Sequence, residues 1–442
     1  MDLQKNDKIE ATIESLGYRG EGVARIDRVP VFIVGALPGE RVRAHVLLVK
    51  KDYAVAKLEE VLAPSPDRVR PACPYFGKCG GCNLQHLAYG AQLGYKRDSV
   101  RDALRKIARI DAGVSPCVAS ENIYGYRNKL SLPVRRGKEG AEVGLFAYNS
   151  HRIVEIGDCP LQTERIRALI PKLRALAAYY EPYDEESGRG VLRHLVVRDL
   201  GGRISLTAVA TRVVADKLRQ ACAEMQIGAD ELWLNVNNAR GNVIMGNETR
   251  LVSGAPALHT VMGLPTSVHP KGFLQVNQNV ADKLYGALVA AAKELAPDLT
   301  IDAYSGGGTL TALLAPYAKE TVGVEIEPAA SASAAELTAR LGLSTVRNVC
   351  GDCAKVLPDL IKTAQGGRTM IVLDPPRGGC DRTVVDAVNS SAAADVLYVS
   401  CNPATLARDL ALLTNYAIRS ITPYDMFPQT CHCEVLTALQ RK

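Results

Sequence analysis

The chain has 442 residues, too many for one ordinary domain, and its 47% apolar and 23% charged residues are those of a soluble globular protein. No run approaches the roughly 20 apolar residues of a membrane span, and the opening Met1-Asp2-Leu3-Gln4-Lys5-Asn6-Asp7-Lys8 has no signal-peptide core. A cytoplasmic protein with no membrane partner is expected, its twelve cysteines serving as ligands, nucleophiles or buried apolar groups rather than disulfides. The net charge of +6 is concentrated: residues 1–110 hold 19 Lys and Arg against 13 Asp and Glu, so the remainder sums to zero. That asymmetry points to an anionic partner for the N-terminal part, nucleic acid before acidic protein.

Residues 8–62 alternate as short half-buried strands: Ile9, Ala11 and Ile13, then Val31 and Ile33, then Val42, Ala44, Val46 and Leu48, then Tyr53 and Val55. Turns fall at 17–22, at Leu37-Pro38-Gly39-Glu40 and at Lys50-Lys51-Asp52. Five such strands closing on themselves make a small barrel of the oligonucleotide-binding type. Its glycine-rich and Pro-Gly-Glu turns resemble those of a TRAM domain, an RNA-binding barrel appended to several RNA-modifying enzymes. The plainer alternative is a spacer or protein-docking module.

Ala63-Pro64-Ser65-Pro66-Asp67-Arg68 reads as a linker. Directly after it, Cys73, Cys79 and Cys82 sit among glycines that let the backbone wrap a centre, which is the strongest metal signal in the chain. Zinc and an iron-sulfur cluster both want four such ligands; Cys159, whose Cys-Pro step matches Cys73-Pro74, is the expected fourth. Tyr89 to Arg109 has helical spacing with a basic face of Lys96, Arg97, Arg101, Arg105 and Lys106, suited to RNA or to solvent. From about 115 to 268 the chain is strand-rich, interrupted by a helix over Leu161 to Tyr179, and reads as one α+β domain that presents substrate. Within it Tyr126-Arg127-Asn128-Lys129 mixes an aromatic with donors, making Arg127 and Lys129 candidate RNA contacts.

From Gly286 the rhythm becomes that of a doubly wound sheet. Thr300 to Thr309 is a strand running into the glycine loop Tyr304-Ser305-Gly306-Gly307-Gly308-Thr309, where helix N-terminal amides suit a nucleotide-like ligand. Glu325 ends the next strand, at the distance of an acid that holds ribose hydroxyls. Asp352 follows the third strand and Asp374-Pro375-Pro376-Arg377 the fourth. Cys401 follows a further apolar run, ahead of an Asn-Pro turn, and Glu434 lies beyond Asp425-Met426-Phe427-Pro428-Gln429-Thr430. Two other cysteine groups carry less: Cys350 and Cys353 flank a Gly-Asp turn that the sheet itself requires, and Cys431-His432-Cys433 cannot all turn to one ion from an extended chain.

Taken together, the three spaced cysteines with Gly157-Asp158-Cys159-Pro160, Phe273-Leu274-Gln275-Val276-Asn277, Asp374-Pro375-Pro376-Arg377, Ser400-Cys401-Asn402-Pro403-Ala404-Thr405 and the Asp425 to Glu434 stretch resemble the RNA uracil-5-methyltransferase family. The resemblance spans nearly the whole chain. It implies S-adenosylmethionine as methyl donor, contacted by Gln275, Tyr304, Glu325 and Asp374, with Thr309 and Asp352 alongside. It implies a [4Fe-4S] cluster on Cys73, Cys79, Cys82 and Cys159, Cys401 as nucleophile, Glu434 as general base and Phe273 stacking near the extruded base. The glycine loop departs from the family's usual Phe-Cys-Gly-x-Gly-Asn, which bears on Thr309.

The implied reaction explains the residue types. A thiolate adding to uracil carbon 6 makes carbon 5 nucleophilic, and a carboxylate then removes the carbon 5 proton so that the thiol is eliminated. The target base must leave its stack to reach the pocket. The expected substrate is ribosomal RNA, 23S first, or transfer RNA, and the chain is expected to act as a monomer. An amino-group methyltransferase would carry an aromatic where Arg377 stands, and a radical S-adenosylmethionine enzyme would have a closer first cysteine spacing. The expected architecture is α/β: a barrel over 1–63, a central α+β domain with the cysteine loop over 64–270, and a Rossmann-like methyltransferase domain over 271–442.

Overall fold

The computed structural model describes residues 3–138, 140–363 and 367–442; Met1 and Asp2 of the opening stretch lie outside them. Strands β1 (Lys8–Thr12), β2 (Ser15–Leu16), β3 (Gly22–Ile26), β4 (Val29–Val34), β5 (Arg41–Val49) and β6 (Ala54–Ala63) form one sheet in the order β1-β5-β6-β4-β3-β2. The expected five strands are six: β2 has only two residues, too few to show a period, and β3 starts within the glycine-rich turn read over 17–22. Along β5, Val42, Ala44 and Val46 are buried while Arg41, Arg43 and His45 alternate outward. Gly22 is required where it stands: a Cβ would lie 2.8 Å from the Ala36 carbonyl oxygen. The segment 63–68 is tied down rather than loose, since buried Glu40 accepts from Ser65 N at 3.2 Å and from Arg68 Nε and Nη2 at 2.5 and 2.8 Å.

After the cysteine loop comes α1 (Tyr89–Ala103), which runs on into a π-helical turn (Leu104–Ala108). A central sheet of β7 (Lys129–Arg136), β8 (Ala141–Phe146), β9 (Ile153–Glu155), β10 (Leu192–Asp199), β11 (Ile204–Ala210), β12 (Glu231–Val236) and β13 (Glu248–Gly254) has the order β13-β12-β11-β10-β7-β8-β9. Only β11 and β12 pair in parallel among these strands. Helices α2 (Glu164–Ala178) and α3 (Ala215–Glu224) share its apolar core, with Leu130, Leu132, Leu195 and Val197 meeting Ile166, Ile170 and Leu173 of α2. A hairpin of β14 (Leu258–Val261) and β15 (Leu264–Ser267) follows.

The C-terminal part alternates α4 (Gln278–Leu295), β16 (Leu299–Ala303), α5 (Thr309–Leu314), β17 (Glu320–Glu325), α6 (Pro328–Arg340), β18 (Val346–Cys350), α7 (Cys353–Thr363), β19 (Thr369–Leu373), α8 (Arg382–Ser390), β20 (Asp395–Ser400) and α9 (Pro403–Leu410), and closes with β21 (Tyr416–Tyr424) and β22 (Glu434–Arg441). The sheet order is β18-β17-β16-β19-β20-β22-β21, with β22 antiparallel to both its neighbours and the rest parallel. Strands β19 and β20 are buried along their whole length, as a sheet covered on both faces demands.

Two expectations for the stretch after the cysteines fail. Val100 and Leu104 enter the core of the C-terminal sheet, and Ser115 N and Val118 N bond the Ile421 and Pro423 carbonyls of β21. Residues 100–118 therefore pack against the C-terminal sheet although they fall within 64–270. Lys96, expected on a basic outer face, has a side chain with 0% exposure. No helix among the described residues is long and apolar enough to cross a membrane.

Candidate active site and cysteine cavity

Ala303 at the end of β16 pairs with Val324 on one side and Leu373 on the other. The next residue of each strand, Tyr304, Glu325 and Asp374, therefore emerges at the carboxyl edge of the sheet in one row, the edge where open α/β sheets bind ligands. Tyr304 holds a φ of 68°, a left-handed conformation unusual for a bulky residue, and launches the glycine loop. Gly308, with φ of +78°, must be glycine, because a Cβ would lie 2.7 Å from that of Ala334; Thr309 then starts α5. The Glu325 carboxylate takes Gly306 N at 2.9 Å and Glu327 N at 2.7 Å. Asp352 accepts from Ala354 N at 3.0 Å in the first turn of α7. Asp302, beneath them, bonds the Thr311 hydroxyl at 2.6 Å, and burial pushes its carboxyl up to about 7.

The second group sits one strand further along. In the antiparallel register of β20 and β22, Ser400 faces Val435, so Cys401 and Glu434 stand opposite each other at the strand ends. Asn402 caps α9 by accepting from Ala404 N at 3.0 Å and donates its amide to the Arg377 carbonyl at 3.3 Å, tying the turn after Cys401 to the Asp-Pro-Pro-Arg loop. Burial, then the nearby Glu434 carboxylate, push the Cys401 thiol up to about 11, while the Arg377 guanidinium pulls it down. Burial and the charge of Asp374 hold Glu434 well above the usual carboxylate range, with Arg377 again opposing. Burial and Asp302 push Asp374 up to about 7. Arg377 is thus the cation that acts on both Cys401 and Glu434, which its place in the motif did not reveal. Tyr285 of α4 was missed altogether: it lies within electrostatic reach of Asp374, Asp302 and Glu434.

Phe273 is 73% exposed and Gln275 is 4% exposed, on the loop between β15 and α4. That loop is held from the central sheet. Arg198, on β10, donates to the carbonyls of Pro270 at 3.0 Å and Gly272 at 2.7 Å, and Asn128 Nδ2 to that of Gln275 at 2.9 Å. Lys129 pairs with Arg198 across β7 and β10, and burial with the charges of Arg198 and Arg127 brings its ammonium down to about 8.

Cys73, Cys79, Cys82 and Cys159 line one cavity of about 200 Å³, together with Tyr75, Gln85, Arg127 and Lys129. Gln85 accepts from Cys73 N at 3.1 Å and Gly81 N donates to Cys79 Sγ at 3.4 Å. Among the described residues no three His, Cys, Asp or Glu converge as for a metal ion; the four thiols share the lining of one cavity, and four thiolates are the donor set of an iron-sulfur cluster. Cys350 is exposed and Cys353 buried, while Cys431 and Cys433 are buried on either side of an exposed His432.

Residues 361–442 match the family profile described as tRNA (Uracil-5-)-methyltransferase, and residues 3–58 match the TRAM domain. Over the full chain, identity is 38% to an uncharacterized RNA methyltransferase of Halalkalibacterium halodurans, covering 98% of it. It is 34% to an uncharacterized RNA methyltransferase of Listeria innocua, covering 100% of this chain and 99% of that one. Among solved structures, the Pyrococcus abyssi tRNA (uracil-54, C5)-methyltransferase in complex with S-adenosyl-L-homocysteine superposes with a TM-score of 0.77 at 26% identity, over 97% of this chain and 99% of that one.

Proposed function

This chain belongs to the RNA (uracil-5-)-methyltransferase family, S-adenosylmethionine-dependent enzymes, and from that premise we propose how its own residues divide the reaction. Cys401 is the nucleophile that adds to carbon 6 of the target uracil, and Glu434 is the base that takes the carbon 5 proton before the thiol is eliminated. The observation that carries this reading is the register that sets the two side chains opposite each other across β20 and β22. Bound S-adenosylmethionine supplies the methyl group, and Tyr304, Thr309, Glu325, Asp352 and Gln275 hold it at the edge of β16 to β18. Arg377 favours the thiolate of Cys401 and the ionised form of Glu434, the form that can take a proton. Phe273, exposed at the loop tip, stacks against RNA near the extruded base, with Arg127 and Lys129 as further contacts.

We propose a [4Fe-4S] cluster on Cys73, Cys79, Cys82 and Cys159, supported by the four thiols that line one cavity. It would cross-link the cysteine loop to the segment before α2, with no part in the methylation itself. The substrate we put first is 23S ribosomal RNA. Transfer RNA is the second reading, favoured by the likeness to the Pyrococcus enzyme. Mapping 5-methyluridine in ribosomal and transfer RNA from cells lacking the gene, with methyl transfer to each RNA by purified protein, tests both. Loss of no 5-methyluridine, with no transfer in vitro, would reject the activity.

A further inference from the structure

Glu434 begins β22 and pairs with Tyr424, the last residue of β21, so residues 425–433 form the loop of a hairpin. Hairpin loops usually have about two to five residues, short enough for the strands to dictate their path. This one is longer, and its shape is set from outside. Lys96 forms an ion pair with Asp425 in which both side chains have 0% exposure, and it also donates to the Phe427 carbonyl at 3.0 Å. The Pro428 carbonyl accepts from the Tyr126 hydroxyl at 3.0 Å. The Gln429 carbonyl accepts from Asn83 N and Leu84 N at 3.2 and 3.0 Å. One turn of α1 before Lys96, Gln92 accepts from Gln429 N at 3.0 Å and donates to Gln429 Oε1 at 3.1 Å. Three successive carbonyls of the loop are thus taken by groups that lie outside the methyltransferase sheet in sequence.

We infer that Lys96, with Gln92 beside it, is a positioning residue for Glu434. Burying an ammonium is costly, and an apolar side chain would fill the same place in the core with less loss. What the ammonium adds is direction: it joins a carboxylate at the start of the loop to a carbonyl two residues on, and so fixes the path that delivers Glu434 opposite Cys401. Contact with RNA is excluded by its burial.

The inference rests on Glu434 being the base, and the consequence is specific. Attack by Cys401 and methyl transfer do not use Glu434, whereas elimination does. Disturbing Lys96 should therefore slow the last step and leave enzyme and methylated RNA joined. Because Lys96→Met alone strands a buried carboxylate, Lys96→Met with Asp425→Leu is the better variant, since apolar pairs replace buried ion pairs without loss of folding; Gln92→Leu is a milder companion. Turnover should fall about a hundredfold in the double variant, with KM for RNA and cofactor affinity changed by less than about twofold. A methyl-labelled, denaturation-resistant adduct should accumulate, as in a Glu434→Gln control. Adduct in the control but none in the double variant overturns the inference alone. Adduct in neither overturns the assignment of the base and the inference with it. Normal turnover, or a loss confined to RNA affinity, also overturns it.

Discussion

Cys401 and Glu434 stand opposite each other across β20 and β22, one step beyond the Ser400 and Val435 pair. The Glu434 carboxylate acts electrostatically on the Cys401 thiol, the nearness a base needs to serve a carbon bonded to that sulfur. The two roles can be separated. Cys401→Ala should give no covalent complex with RNA and no methyl transfer, while Glu434→Gln should attack and methylate but stall before elimination. Denaturing gels with radiolabelled methyl donor distinguish them; full activity in Cys401→Ala would end the scheme.

The thiol of Cys401 sits at about 11 in the protein without RNA, raised by burial and by Glu434. Below that pH it is neutral, so its reactivity should rise with pH, by about tenfold per unit while the thiolate remains the minor form. Iodoacetamide labelling of the Cys401 peptide, followed by mass spectrometry from pH 7 to 10, checks the slope. Arg377→Gln removes the nearby cation that lowers the value, and labelling at pH 9 should slow. A pH-independent rate would show that the thiol is already ionised.

Glu325 accepts two backbone amides in the glycine-loop corner, from Gly306 and Glu327. Glu325→Gln loses the charge and sets an amide nitrogen against one of those two N–H groups, so affinity for S-adenosylmethionine should weaken by about 1.5–3 kcal/mol, the worth of a charged hydrogen bond. Calorimetry reads this directly, and unchanged affinity would move the ribose-binding acid elsewhere.

Arg198 holds the Pro270 and Gly272 carbonyls next to Phe273. Arg198→Met leaves those carbonyls unpaired at a cost of about 1–3 kcal/mol. The loop should become cleavable by protease between 268 and 275, and KM for RNA should rise more than kcat falls. Protease resistance equal to the parent would remove Arg198 from this role.

Anaerobically purified protein should be brown and carry about four irons, and Cys79→Ser should lose the colour and lower soluble yield more than it changes chemistry in what folds. Stoichiometric zinc without iron would reject the cluster.

The sequence by itself determined the chemistry and the α/β class, because each motif there is local. A thiol or carboxylate directly after a buried apolar strand lands at the ligand-binding edge whatever surrounds it, so Tyr304, Glu325, Asp374 and Cys401 could be read from the chain alone. The barrel was legible from the alternation in β5 for the same reason. What only the tertiary structure decided is how those groups are held and charged. The buried stripe of α1 is Gln92, Lys96 and Val100, at a helical spacing of four, but two of the three are polar, and a pattern of residue types reads them as a solvent face. Lys96 is inside because Asp425 is there to meet it, more than three hundred residues along the chain. Arg198 and Tyr285 escaped notice likewise, since a donor's partners are carbonyls and carboxylates that folding brings from elsewhere. Local sequence specifies which groups reach the edge of the sheet, and long-range packing sets their charge and aim.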